Sequence, residues 1–126
     1  MILSWWTRKW YKILQGDITF KGDITIEGEL KTESGQIAKT TRITGATTLD
    51  ETHHVVFCDT DGSAFTVTLP AGVEGTEYRI INVGTSNNDV TIDADGTAET
   101  VLGAATQDVS DGEILDMHYN ATEGWW

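Results

Sequence analysis

The chain has 126 residues, 39% of them apolar, with a single Pro against 13 Gly. That is enough for about one domain with its own core, and the lone cysteine, Cys58, excludes an intrachain disulfide. The net charge of −12 excludes DNA, RNA and anionic lipid as partners of the main body, because like charges repel.

The charge is uneven along the chain. Arg8, Lys9 and Lys12 give residues 1–15 a charge of +3, which leaves −15 on the remainder. A basic tip on an acidic body indicates that the two ends meet different surroundings. Abundant Thr, without long Ala, Leu, Lys or Glu blocks, favours strands over helices beyond that tip, so the fold class expected is all-β.

The first segment, residues 1–15, reads MILSWWTRKWYKILQ. Leu3, Trp6, Trp10, Ile13 and Leu14 fall at helical spacing, with the basic residues largely on other faces. The segment lacks the unbroken apolar run and small-residue cleavage site of a secretory leader, and it is shorter than the roughly 20 apolar residues that span a bilayer. Three uses fit: a helix packed on its own domain, a helix lying on a membrane surface, or a peg inserted into a larger assembly. Aromatic anchors are the usual carriers of interface energy, so the peg is preferred, with Leu3, Trp5, Trp6, Trp10, Tyr11, Ile13 and Leu14 as its contacts.

Residues 16–39 open with GDITFK, GDITIE, GELKTE and then loosen. Gly16, Gly22 and Gly28 stand six apart, and each begins a copy where a glycine permits a corner between short strands. Ile18 and Phe20, then Ile24 and Ile26, alternate with Thr and Lys and so share one face. A β-helix of one chain needs three such repeats for one coil, and one coil has nothing to stack on. Either the strands form a meander against the rest of the chain, or three chains each supply one strand per layer. The second is preferred: an intertwined trimeric β-helix or β-prism stalk, ~14 Å tall at about 4.8 Å per layer, with Ile18, Phe20, Ile24, Ile26 and Leu30 at the trimer interface.

Residues 40–126 alternate strand candidates with turn signals. HVVFCD, AFTVTLP, EYRIINVG, DVTIDAD, ETVLG and EILDMHYN are separated by DTDGS, PAGVEGT, GTSNND and DADGTAE, and GWW closes the chain. Phe65, Val67 and Leu69 share one face, as do Val90 and Ile92. The spacing predicts a C-terminal β-sandwich, a jelly-roll-like knob.

The run GDITFKGDITIEGEL resembles the glycine-aspartate-aliphatic runs of bacteriophage tail fibres and spikes. Residues 67–70, 82–84, 90–92 and 124–126 are similar to the strand, turn and terminal Gly-aromatic pattern of the small knobs that end such fibres. The resemblance covers about 110 positions and consists of strand and turn signals, not of chemistry. It implies a homotrimeric virion appendage with its N-terminus on the particle and its knob outward. Family fibres are far longer, so a short head fibre, a capsid decoration knob, or a small adaptor or tip piece fits better than a full tail fibre.

Candidate chemistry is sparse. His53 and His54 are neighbours on a strand approach and point to opposite faces, which does not suit one metal. DTDGS and DADGTAE look like calcium loops, but aligning Gly62 or Gly96 at the sixth position of an EF-hand puts Phe57 or Thr91 at the first position, which needs an acidic or amide oxygen, and Thr68 or Leu102 at the twelfth, which needs Glu. They read as Asp-Gly turns. Cys58 sits in an apolar strand beside Asp59, which disfavours a thiolate. No nucleophile elbow, phosphate loop or dinucleotide fingerprint is present, and no pair of carboxylates is singled out for glycoside hydrolysis. The sequon Asn120-Ala121-Thr122 lacks a secretory context. Trp125 and Trp126 are read as closing a sandwich or packing on a neighbouring chain, in preference to stacking on sugars.

The expectation is a non-enzymatic structural protein of the virion, needing no cofactor and no metal. Its partners are two further copies of itself and a capsid or tail protein through residues 1–15. A host-surface glycan or protein would meet the loop residues Asp59, Asp61, Ser63, Ser86, Asn87 and Asn88, because loops on rigid sandwiches carry recognition. Two alternatives stay open: a carbohydrate-recognising, receptor-binding fibre tip, and a peripheral membrane protein held by its N-terminal amphipathic segment.

Overall fold

Strict alternation of apolar and polar side chains buries one face of a strand and leaves the other wet, and the central strands here follow it around a common core. The structure is a computed structural model that describes residues 16–95 and 99–126. The chain divides after Gly35 into two units, the second being Gln36–Trp126.

The second unit is all-β. Its strands are β1 (Thr40–Ile43), β2 (Thr47–Thr48), β3 (Val55–Cys58), β4 (Phe65–Thr68), β5 (Glu77–Asn82), β6 (Val90–Asp93), β7 (Thr106–Val109), β8 (Ile114–Asn120) and β9 (Gly124–Trp125). They form a five-stranded sheet ordered β1-β3-β5-β8-β9 and a four-stranded sheet ordered β2-β4-β6-β7.

The two sheets confront each other across one core. Val56 and Cys58 of β3, Tyr78 and Ile80 of β5, and Met117 of β8 meet Val67 of β4, Val90 and Ile92 of β6, and Val109 of β7. Leu49, Leu69, Val101 and Trp125 close its rim. The alternation read from FTVTL and DVTID holds: Val67, Leu69, Val90 and Ile92 are fully buried, and Phe65 packs against them.

The winding differs from a jelly roll, whose neighbouring strands are antiparallel. From β1 to β6 the chain changes sheet at each step. β1, β3 and β5 therefore pair in parallel on one side, and β2, β4 and β6 in parallel on the other. Only β7, β8 and β9 return antiparallel. Residues 59–64 and 83–89 are long enough to cross between sheets, whereas a hairpin closes with two to five residues. Turn spacing is the same for both windings, which is why it did not distinguish them.

Three local expectations change. The ETVLG stretch makes only isolated bridges at Val101, to Ala104 and to Trp125, because Leu102 takes φ +51° and turns the chain. Thr40–Ile43 and Thr47–Thr48 are strands although their Thr-rich sequence carries no apolar alternation. Thr106–Val109 is an edge strand whose outward positions are polar, and it escaped notice for the same reason.

Candidate functional site

The most unusual surface lies in residues 16–37. Gly16, Gly22 and Gly28 adopt φ of +88°, +97° and +114°, where a side chain is strained, yet nothing approaches a Cβ built on any of them. Backbone conformation, not crowding, selects glycine here, and it turns the chain at each six-residue step. Between the corners Ile18, Phe20, Ile24, Ile26 and Leu30 are 47–62% exposed, and Ile37 is fully exposed. None of them belongs to the core cluster. Among the described residues no strand forms in 16–39, and no backbone hydrogen bond joins residues 16–35 to one another.

This segment thus leaves two demands unmet. Its apolar side chains stand about half exposed, and among the described residues its backbone donors and acceptors have no ladder partner. The arrangement suits one chemistry, the addition of further strands.

At one end of the sandwich the structure brings together the loops singled out from sequence. Asp61 Oδ1 accepts from the Thr85 amide at 2.6 Å, the Thr85 hydroxyl at 3.1 Å and the Ser86 hydroxyl at 3.2 Å. The Asn88 side-chain amide donates to the Thr60 carbonyl at 2.8 Å, and the Asn87 amide donates to Asp111 at 2.7 Å. Asp59 accepts from the Asp61 amide at 3.1 Å and pairs with Arg42. Ser63 stays exposed nearby in sequence, without a bond to the others.

The centre of this knot was not foreseen. Asn82 is fully buried, and its amide nitrogen donates to the carbonyls of Asn88 at 3.0 Å and Val109 at 2.9 Å. Its side-chain oxygen accepts from the Thr60 hydroxyl at 3.0 Å and the Gly84 amide at 2.9 Å. Gly84 packs so closely that a Cβ would overlap Thr60 Oγ1. The Asn-x-Gly at residues 82–84 was the available signal, counted there only within the strand candidate EYRIINVG and the knob resemblance.

These loops thus spend several of their polar groups on one another. Replacing Asn82 by Ala strands the partners of its side chain. Each buried donor or acceptor left unpaired costs about 1–3 kcal/mol, so Asn82→Ala should lower the urea midpoint by an amount matching at least about 2 kcal/mol without changing the denaturant slope.

The opposite end of the five-stranded sheet carries a shallow hollow of about 330 Å³ lined by His54, Glu77, Arg79, Asp116 and His118. Glu77 lies 3.5 Å from His54 Nε2 and 3.5 Å from His118 Nδ1, and Arg79 is paired with Asp116. His53 turns away to Asp50 at 2.8 Å, so the two adjacent histidines do serve different partners. Among the described residues no group of three or more His, Cys, Asp or Glu is placed to hold a metal ion. Cys58 is buried, and burial pushes its thiol up to about 12, which disfavours the nucleophilic thiolate. Trp125 is fully buried against Tyr78 and Tyr119, whereas Trp126 is half-exposed.

Several carboxylates are held ionised by their donors. Hydrogen bonds from the Thr52 hydroxyl and amide, with His53, lower Asp50 from 3.8 to about 2. The Thr85 amide and hydroxyl lower Asp61, and Arg79 lowers Asp116. A depressed folded pKa adds stability that is complete above the unfolded value and is lost as pH falls through the folded one. The melting temperature should therefore hold from pH 7 to about 5 and fall between pH 4 and about 2, and Asp50→Asn should flatten that fall in a thermal scan series.

Leu3, Trp5, Trp6, Trp10, Tyr11, Ile13 and Leu14, the residues read as an anchor, lie outside the described residues, as does Gly96 of the second Asp-Gly turn. Among the described residues no helix is long and apolar enough to cross a membrane. No protein-family model matches the chain, and no curated protein or solved structure matches it.

Proposed function

We propose that the chain is a structural appendage of a bacteriophage particle: a short homotrimeric fibre or decoration with an outward knob. The observation that carries the trimer is the run of exposed apolar side chains at Ile18, Phe20, Ile24, Ile26 and Leu30, in phase with glycines at positive φ. Three such strands closing a prism would remove these side chains from water and pair the idle backbone, leaving no long free edge.

The particle location rests on the resemblance of residues 16–30 to fibre and spike runs, with residues 1–15 as the attachment to capsid or tail. The mechanism is mechanical. The stalk locks three chains, and the acidic knobs stand off in solvent, where their charge keeps them soluble and apart from like-charged particles. The loops around Asp61 and Asn88 would form the host-facing tip. They carry no aromatic side chain, so a sugar-stacking site there is not favoured.

Mass spectrometry of purified particles of the encoding virus tests the location. Peptides of this chain should persist at a stoichiometry divisible by three. Their absence from the particle would overturn the virion role while leaving the trimer to be judged separately.

A further inference from the structure

The outer faces of the two sheets are chemically unlike. On the four-stranded sheet the outward positions are Thr48, Thr66, Thr68, Thr91 and Thr106 with Asp93 and Asp108, with no cation among them. On the five-stranded sheet one cross-strand row reads Arg42, Phe57, Ile81, Ile114, by the registers of β1 with β3, β3 with β5 and β5 with β8. Phe57 and Ile81 alternate with buried neighbours and do not pack on the core, so they face outward, and Ile114 is 58% exposed. Two rows along, Trp126 pairs with His118 on the same sheet and is 51% exposed. Among the described residues of Gln36–Trp126, leaving Ile37 aside because it precedes the first strand, only Val73 exposes another large apolar side chain to that degree.

Charge points the same way. Lys39, Arg42 and Arg79 are the only cations after residue 35, and both arginines stand on this face. Each is neutralised there, Arg42 by Asp59 and Arg79 by Asp116. A second copy of so acidic a chain is repelled elsewhere, but here it meets an apolar row between closed ion pairs. β1 also follows directly in sequence on the segment proposed to trimerise.

We infer that the outer face of the five-stranded sheet is a self-association surface, at which the knobs of a trimer pack with Phe57, Ile81 and Ile114 toward a common axis. This rests on the trimer reading and adds a second contact to it. Burying the row removes apolar area from water, while the ion pairs on either side fix the angle at which the faces meet.

The test is Ile114→Cys in the full chain, compared with Thr48→Cys on the opposite sheet. Both sites are exposed in a single chain, so neither change disturbs the core, and the buried Cys58 does not compete for reagent. In a purified trimer the thiol at position 114 should react with a charged maleimide more than about tenfold slower than the thiol at position 48. Mild oxidation should also link two chains through it. A trimer in which both thiols react at equal rates overturns this surface and leaves the stalk intact. A chain of monomeric mass overturns the trimer reading and this surface together.

Discussion

Replacing Phe20 and Ile24 together by Ser is expected to convert the proposed trimer to monomers while the β-sandwich stays folded. Both side chains are more than half exposed in one chain, at 62% and 55%, so neither change removes anything from the sandwich core. In the proposed prism the exposed half of each would be buried, worth about 1 kcal/mol per side chain. Two positions in three chains then cost on the order of 6 kcal/mol per trimer, about four decades in the assembly constant. The mass in sedimentation equilibrium should fall from about three times 13.8 kDa to 13.8 kDa at micromolar protein. The thermal transition of the sandwich should persist, because its core, including Val56, Ile80 and Ile92, is unaffected. A variant that keeps the wild-type mass would place the association elsewhere.

Trp125→Ala is expected to be the most damaging single change in the knob. Trp125 is fully buried, with its ring 5.7 Å from Tyr78 and 5.1 Å edge-on from Tyr119. Its indole N–H reaches Glu99 at 3.3 Å, on a carboxylate that also accepts from the Gly72 amide at 3.0 Å and the Tyr119 hydroxyl at 3.3 Å. Truncation removes the ring, loosens both tyrosines and leaves Glu99 short of a donor. A fully buried Trp→Ala change costs about 3–5 kcal/mol, which for a domain of this size lowers the melting temperature by at least about 12 °C. Trp125→Phe keeps a ring but loses the N–H, so it should cost less than about 2 kcal/mol. Equal losses in the two variants would mean that the indole nitrogen, not the ring, matters most.

Sequence carried the core better than the topology. Val67, Leu69, Val90 and Ile92 could be placed because period-two alternation is a direct consequence of strand geometry. That alternation is identical in parallel and antiparallel pairs, so it left open how β3 and β5 meet; loop reach and core packing decide it. β1, β2 and β7 were illegible because Thr41, Thr47 and Gln107, opposite the buried Val56, Val67 and Ile92, put a polar residue on the inward face where an apolar one would have shown the alternation. Asn82 misled in a different way. Its residue type signals a turn, while its burial and four side-chain bonds make it the tie between three loops. The glycine ladder was legible as a pattern, since Gly16, Gly22 and Gly28 all take positive φ at the six-residue step.

The account turns on whether the ladder is completed by other copies of the chain. Sedimentation equilibrium of the unaltered protein measures this directly, over a concentration series at neutral pH. The mass expected is about 41 kDa, three times 13.8 kDa, and constant on dilution through the micromolar range. A constant 13.8 kDa would contradict it, for Ile18, Phe20 and Ile24 would then gain no cover from other copies of the chain.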